Sequence, residues 1–177
     1  MRKLTSAELG RISVADFKQE SKFDLVIVLD NIRSMHNVGA AFRTSDAFRI
    51  NKIILTGITA KPPHRDIHKA ALGATDSVDW EYVNEPIEAV NQLKEKGYQI
   101  IAAEQAEGSV TLEEFKPEVG QKFALVFGNE VFGVSDNVVN VADGCVEIPQ
   151  FGTKHSLNVS VSMGIVIWDF YQKLRPF

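Results

Sequence analysis

Three separate segments of this 177-residue chain carry polar residues and glycines suited to chemistry. In the first, Asn37 stands where a helix N-cap belongs, and Arg43 follows six residues later near the same side of the helix. An arginine placed in this way can bind a phosphate. The second segment, Gly128–Ser135, and the third, Ile148–Ser160, each begin at the end of a short apolar run. Both are expected at the carboxyl ends of strands, where α/β proteins bind ligands.

The second segment has the glycine spacing of a phosphate-binding loop but not its charge. Gly128 and Gly133 are five residues apart, as in G-x-x-x-x-G-K-[ST]. Val134, however, occupies the lysine position, and Glu130 adds a negative charge. A nucleoside triphosphate is therefore not expected, and no G-x-G-x-x-G follows the first strand. The glycines permit either a close backbone approach to a ligand or a tight turn, and the spacing leaves both open.

Metal, hydrolase and thiol chemistry have little support in the residue pattern. His64 and His68 have the spacing of a zinc pair, but no glutamate follows His64 and the sequence has no cysteine pair, so no metal site is predicted. The sequence also lacks a G-x-S-x-G motif. The single Cys145 is expected to be a small buried side chain.

The net charge of −4 argues against a protein that coats nucleic acid by bulk charge. Basic residues are nevertheless concentrated in two segments. Arg33–Lys52 holds four basic residues against one acidic residue, and Lys61–Lys69 holds three against one. The acidic stretch Glu104–Glu118 offsets them and is expected to face away from any nucleic acid. The basic segments predict either a local basic face or an ordinary solvated surface.

Apolar runs alternate with helical periodicity and predict the elements that position these segments. The predicted strands are Leu25–Leu29, Ile53–Thr56, Ser77–Val83, Gln99–Ala103, Ala124–Phe127 and Cys145–Ile148. The predicted helices are Asn37–Phe48, Pro86–Lys96, Asp136–Ala142 and Ser156–Leu174. Because several strands are apolar throughout, the expected fold is α/β, with a mostly parallel sheet and helices on both faces.

The chain is expected to form one domain with a short extension. Residues 1–22 are predicted to form one amphipathic helix, and residues 23–177 the α/β domain. The sequence has no run of about 18 apolar residues and no signal-peptide core. With a single cysteine, the protein is expected to be cytoplasmic.

Taken together, the three segments resemble the motifs of the SpoU (TrmH) family of RNA 2′-O-ribose methyltransferases. Asn37–Arg43 resembles the first motif. Leu125–Gly133, with its G-x-E-x-x-G pattern, resembles the second, and Ile148–Ser162 resembles the third. Each match is weak alone, whereas all three in this order and spacing are specific. The resemblance extends from about Phe23 to Leu174.

The resemblance implies a SPOUT fold, in which the C-terminal segment forms a deep trefoil knot around an S-adenosylmethionine pocket. It also implies a homodimer that uses the apolar helix Ser156–Leu174. The cofactor-binding residues would be Ala103, Glu104, Gly128, Gly133, Ile148, Gln150 and Leu157, with Gln150 standing where methionine is common. The catalytic residues would be Arg43, Asn37, Glu130, Ser156 and Asn158. RNA would be bound by Arg33, Lys61, Arg65 and Lys69, together with the N-terminal helix.

Methyl transfer to a ribose requires in-line approach and loss of the 2′-hydroxyl proton. Arg43 would act as the base. Alternatively, since a guanidinium rarely loses its proton, it would stabilise the alkoxide while the 3′ phosphate or a water takes the proton. Glu130 would orient Arg43 through a bidentate pair, or cap the helix that follows its own loop.

The expected substrate is tRNA, because many relatives carry an extra N-terminal RNA-binding domain and only about 22 residues precede the first strand here. Ribosomal RNA stays open as an alternative substrate. Methylation of a base and a catalytically silent RNA-binding dimer stay open as alternative functions.

Overall fold

The computed structural model describes residues 1–5 and 7–175. Ser6 of the predicted N-terminal helix and the last two residues of the predicted domain therefore lie outside the described residues. The strands are β1 Phe23–Asp30, β2 Ile50–Thr56, β3 Asp79–Val83, β4 Tyr98–Ala103, β5 Val110–Thr111, β6 Lys122–Phe127 and β7 Gly144–Glu147. The helices are α1 Val14–Gln19, α2 Met35–Ala47, α3 Arg65–Ala71, α4 Ala74–Ser77, α5 Pro86–Glu95, α6 Asp136–Val139 and α7 Val159–Leu174.

All seven strands join one sheet in the order β3-β2-β1-β6-β4-β7-β5, and every pairing is parallel. β6 lies at the centre, between β1 and β4, with Val126 beside Val28 on one side and Ala102 on the other. Parallel pairing brings the carboxyl ends of β1, β4, β6 and β7 to one edge of the sheet. The three motif segments begin at this edge.

Helices cover both faces of the sheet, as the apolar strands predict. Alternate residues of the strands point to opposite faces. On one face Leu25, Ile27 and Leu29 of β1 pack in a core with α1, α2, α3 and α7. On the other face Val26 and Val28 pack in a second core with α5 and α6. The parallel α/β fold with helices on both faces is therefore confirmed.

The N-terminal region differs from the prediction. Among the described residues of this region, only Val14–Gln19 is helical, so the single helix expected over residues 1–22 is wrong in extent. Gly10 has a positive φ of 59°, which interrupts a right-handed helix. The helix starts instead after Ser13, whose side chain accepts a hydrogen bond from the Asp16 N–H. Phe17 of this helix is buried in the main core.

Smaller differences concern short elements. The two-residue strand β5 and the short helices α3 and α4 have too few residues for a clear periodicity and were not predicted. The C-terminal helix begins at Val159 rather than Ser156, because the Asn158 side chain caps it by accepting from the Ser160 N–H at 2.8 Å. None of the helices in the described part of the chain is both long and apolar enough to cross a bilayer.

Helices α2 and α3 pack closely at Gly39. A β-carbon on Gly39 would lie 2.5 Å from the backbone oxygen of Ile67 and 2.6 Å from the Ala70 β-carbon. A glycine is therefore required for the two helices to approach to this distance. The contact fixes the position of α2, which carries the first motif.

Candidate active site

A cavity of about 530 Å³ lies at the carboxyl ends of β4, β6 and β7. It brings together every residue that the sequence assigned to cofactor binding: Ala103, Glu104, Gly128, Gly133, Ile148, Gln150 and Leu157. Three of the predicted catalytic residues, Glu130, Ser156 and Asn158, line it as well. The second and third motifs therefore form one site, although they are separated in the sequence.

The loop Gly128–Ser135 is a tight turn in which its two glycines contact each other. A β-carbon on Gly128 would lie 2.0 Å from the backbone of Gly133 and Val134. Asn129 and Gly133 exchange two backbone hydrogen bonds, each 2.9 Å long. The glycine spacing thus serves backbone packing within the loop, which is the turn alternative left open by the sequence.

Glu104 at the end of β4 fixes the far side of this loop. Its Oε2 accepts from the Val134 N–H at 2.9 Å, and its Oε1 accepts from the Gln105 N–H at 2.9 Å. Gly133 has a φ of 71°, and a β-carbon there would lie 2.1 Å from the Glu104 carboxylate. Glu104 therefore shapes the cavity wall as well as lining it.

Asp30 and Asn129 also hold the loop, and the sequence analysis did not identify either residue. The Asp30 side chain is fully buried. Its carboxylate accepts from the Ser135 N–H at 2.7 Å and from the Ser135 hydroxyl at 2.9 Å. Asn129 donates to the Asn31 carbonyl at 2.7 Å. An acidic residue that ends an apolar strand was the available signal for Asp30, because a buried carboxylate needs donors.

Glu130 connects the second motif to the first. Its carboxylate accepts from the Asn37 side-chain amide at 2.8 Å and from the backbone N–H groups of Arg33 and Ser34 at 2.9 and 3.0 Å. Burial alone would raise the pKa of Glu130, but hydrogen bonds from Arg33, Asn37, its own backbone and Ser34 hold the pKa below the ordinary value of 4.5. The carboxylate is therefore ionised at neutral pH and occupied by donors.

Within the described residues of one chain, Glu130 makes neither of the two contacts that the sequence offered for it. Its hydrogen-bonding partners among the described residues do not include Arg43, because Asn37 and the backbone before α2 occupy the carboxylate. Nor does Glu130 cap the helix after its own loop. It binds N–H groups at the start of α2 instead, where a negative charge is favoured by the helix dipole.

Arg43 lies away from the cavity. It is exposed on α2 and lines a separate groove of about 610 Å³, together with Arg11, Arg49 and Asp46. Arg43 is six residues from Asn37 on α2, a rise of about 9 Å and a net rotation of about 240°. The buried Asn37 and the exposed Arg43 therefore lie on different faces of the helix, and the expectation that they share one side is wrong. Within the described residues of one chain, the predicted catalytic Arg43 therefore does not line the cavity.

The third motif forms the outer rim of the cavity. Residues 151–158 are exposed, and Gln105 Nε2 donates to the His155 carbonyl at 3.2 Å. This bond holds the loop near the end of β4. Ser156 and Asn158 are therefore accessible from solvent at the mouth of the cavity.

The predicted RNA-binding residues Arg33, Lys61, Arg65 and Lys69 are all exposed. Arg65 and Lys69 lie one turn apart on α3. Lys61 Nζ lies 4.1 Å from the centroid of the Tyr82 ring, in a cation–π contact. Arg33 lies beside the cavity, since its backbone N–H binds Glu130.

The charge of the cavity indicates the kind of ligand it suits. Its lining contains three carboxylates, those of Glu104, Glu130 and Glu147, and no lysine or arginine among the described residues. Such a lining disfavours a phosphate and favours a ligand with positive charge.

No group of three or more metal-binding side chains is present in residues 1–5 and 7–175. Burial raises the pKa of the Cys145 thiol, whose sulfur contacts the Glu104 carbonyl, and this keeps it unreactive.

A parallel sheet with a loop-lined cavity across the ends of neighbouring strands defines the α/β class of ligand-binding enzymes. Within this class, the sequence model of the SpoU rRNA Methylase family matches residues 24–168. The chain belongs to this family.

Named relatives and a solved structure agree with this assignment. The tRNA (guanosine(18)-2′-O)-methyltransferase of Aquifex aeolicus is 35% identical over 150 residues, which cover 82% of this chain and 68% of the relative. The 23S rRNA (guanosine-2′-O-)-methyltransferase RlmB of Nitrosomonas europaea is 32% identical over 149 residues, covering 84% and 56% of the two chains. The AdoMet-bound rRNA methyltransferase from Sinorhizobium meliloti superposes with a TM-score of 0.81 at 25% identity, covering 90% and 61%. The chain thus spans little more than half the length of some relatives.

Proposed function

We propose that this protein is an S-adenosylmethionine-dependent RNA methyltransferase that methylates ribose 2′-hydroxyl groups, with tRNA as its substrate. The observation that carries the proposal is the geometry of the site. The second and third motifs line one cavity, and a 2.8 Å hydrogen bond from the Asn37 side chain to Glu130 connects that cavity to the first motif. Two relatives named as 2′-O-methyltransferases support the reaction.

The cavity fits S-adenosylmethionine in size and charge. Its volume of about 530 Å³ lies within the usual range for small-molecule sites. The donor carries a sulfonium, an ammonium and one carboxylate, so its net charge is positive and suits the acidic lining. Ile148, Leu157 and Val146 would pack against the adenine, and the backbone of Gly128 would bind polar groups. When bound, the donor supplies an electrophilic methyl carbon.

The chain's own residues would place the ribose and assist loss of its proton. Asn158 Oδ1 already accepts from Ser160, so its amide nitrogen is the group that would donate to RNA. Ser156, exposed at the same rim, would donate a second hydrogen bond. Glu130 is ionised but fully engaged with donors, which makes it a poor proton acceptor. Arg43 would therefore stabilise the developing alkoxide, and a phosphate oxygen or a water would take the proton.

We propose that the working form is a homodimer in which each cavity uses Arg43 of the partner subunit. Arg43 lines a groove separate from the cavity of its own chain, so a second copy is the direct source of an arginine. Helix α7 offers a contact surface. Val161, Ile165 and Trp168 form a stripe at i, i+4 and i+7 and are 50%, 39% and 50% exposed.

We further propose that the C-terminal segment forms a trefoil knot, and that residues 1–22 are an extension of a domain beginning at residue 23. Contacts along residues 104–121 support the knot. Gln105 binds the loop before α7, and Lys173 near the end of α7 donates to the Leu112 carbonyl at 2.5 Å.

We also propose that the protein is located in the cytoplasm, where its tRNA substrate would be present.

The choice of tRNA over ribosomal RNA rests on the relatives. This chain is 35% identical to the Aquifex aeolicus tRNA enzyme and 32% identical to the Nitrosomonas europaea ribosomal enzyme. A substrate shared with the tRNA enzyme is therefore the better supported of the two.

The decisive experiment is transfer of labelled methyl groups from S-adenosylmethionine to tRNA and ribosomal RNA that lack 2′-O-methyl groups. Label in tRNA, at a linkage that resists nuclease cleavage, is the expected result. Label in ribosomal RNA alone would replace the substrate but keep the chemistry. A labelled linkage that is still cleaved would indicate base methylation, and donor binding without any transfer would indicate a silent RNA-binding protein.

A further inference from the structure

Two of the phenylalanines that the structure describes are exposed, and both lie on loops of the candidate active site. Of the ten phenylalanines in the described residues, eight are buried or half-buried. Phe132, on the loop after β6, is 85% exposed, and Phe151, on the loop after β7, is 96% exposed. Phe132 lines the cavity, and Phe151 directly follows the cavity-lining Gln150. Such a concentration of exposed rings at one place indicates a binding surface.

The exposure of Phe132 is a fixed property of its loop. Asn129 Oδ1 accepts from the backbone N–H groups of both Val131 and Phe132, at 2.8 and 3.2 Å. Asn129 and Gly133 also pair through two backbone hydrogen bonds. The Glu130 carboxylate ties the loop to the start of α2. A loop held in this way keeps the ring in solvent at the cavity mouth.

The proposed reaction places a nucleobase close to this ring. The 2′-hydroxyl must enter the cavity mouth, and the base is attached to the neighbouring carbon of the same ribose. Proteins that recognise single-stranded RNA stack such bases on aromatic side chains. Cationic side chains for the phosphates are at hand: Arg33 lies beside Glu130, and Lys154 lies on the loop that carries Phe151.

We infer that Phe132 and Phe151 stack on unpaired RNA bases at the cavity mouth, with Phe132 binding the base of the nucleotide to be methylated. The inference rests on the proposed methyltransferase function. It gives a role in binding the target base to two side chains that the sequence analysis assigned neither to catalysis nor to cofactor binding.

The test compares Phe132→Ala and Phe151→Ala with Val119→Ala. A third variant, Val119→Ala, is the control, because Val119 is an exposed apolar residue (73%) that does not line the cavity. Steady-state methylation of unmodified tRNA should show a 10- to 100-fold loss of kcat/KM for each phenylalanine variant, of the order expected for one stacked base. The binding of S-adenosylmethionine by calorimetry should not change, and the activity of Val119→Ala should stay within about threefold of wild type. Phe132→Trp, which keeps a stacking surface, should restore activity, and Phe132→Leu should not.

Three results would overturn the inference. The first is full activity of both alanine variants while the wild type is active. The second is equal activity of Phe132→Leu and Phe132→Trp, which would mean that apolar contact alone is needed. The third is a change of sedimentation mass in either alanine variant, which would assign the rings to a contact between subunits. If the wild type methylates no RNA, it is the proposed function that fails.

Discussion

The carboxylate of Glu130 and the side-chain amide of Asn37 are joined by a 2.8 Å hydrogen bond across 93 residues of sequence. The same carboxylate accepts from two backbone N–H groups just before α2. The loop of the second motif and the helix of the first motif are thus held as one unit. Any movement of the cavity loop is transmitted to the helix that carries Arg43.

Glu130→Gln tests this connection. The amide keeps the shape but loses the charge and one acceptor, so the start of α2 should shift relative to the cavity. We expect kcat to fall about 10- to 100-fold, since small displacements of catalytic groups have effects of this size. The affinity for S-adenosylmethionine should change little. Asp136→Asn, an exposed carboxylate on α6, is the control. Equal kcat values for the two variants would contradict the role of Glu130.

Glu130 should also make stability depend on pH. Its folded pKa lies below the ordinary value of 4.5, so the folded state favours the ionised form. The stabilisation is complete above the ordinary value and is lost as pH falls through the folded pKa. Urea unfolding of wild type and Glu130→Gln from about pH 6 to about pH 3.5 should give free energies of unfolding that converge at low pH. A constant difference would show that ionisation of Glu130 is not involved.

Gly39→Ala should destabilise the protein. The added β-carbon would lie 2.5 Å from the Ile67 backbone oxygen, which cannot move without shifting α3. We expect a loss of about 1–3 kcal/mol in the free energy of unfolding, the usual cost of overpacking. Thr44→Ala, on the same helix, should change stability by less than about 1 kcal/mol. Chemical denaturation measures both. If Gly39→Ala changed the free energy of unfolding no more than Thr44→Ala, the close packing of α2 on α3 would be contradicted.

Mixed dimers test whether Arg43 acts across subunits. Arg43→Ala and Ile148→Trp, which fills the cavity, should each be inactive alone. If each site takes its arginine from the partner, a mixed dimer has one site with both defects and one with neither. Unfolding and refolding the two variants together should then restore about a quarter of wild-type activity. No recovery, with mixed dimers shown by a tagged pull-down, would place Arg43 and the cavity in the same chain.

The α3 surface should contribute electrostatic binding of RNA. Removing both charges by Arg65→Ala with Lys69→Ala should weaken tRNA binding and reduce its salt dependence by about 1–2 units of slope. The affinity for S-adenosylmethionine should not change, because neither residue lines the cavity. Lys96→Ala with Lys116→Ala removes the same charge from other exposed positions and serves as the control. Equal weakening by both pairs would indicate a general effect of net charge.

The sequence predicted strands well where a whole run of residues is buried. It predicted contacts poorly where the two residues are far apart in the sequence. Strands such as Leu25–Leu29 are apolar on both faces, which leaves a clear local signal. By contrast, Asn37 and Glu130 meet only because parallel strands end at one edge, and no local pattern contains that pairing. For this reason the sequence did not show that Glu130 contacts the start of α2. From the sequence alone, Gly128 and Gly133 fitted either a tight turn or a close approach to a ligand, because both require glycines at the same positions.

The central position of β6 has a consequence for synthesis of the chain. β1 is complete at Asp30, but its neighbour β6 ends at Phe127, almost a hundred residues later. At ordinary translation rates this interval lasts about 5 to 20 s. During this interval β1 exposes the apolar edge that pairs with β6 in the finished sheet, and β4 does the same once Ala103 has been made. A chain stalled before Lys122 therefore cannot close its sheet. Such truncated chains should bind chaperones strongly, because unpaired apolar strand edges promote aggregation.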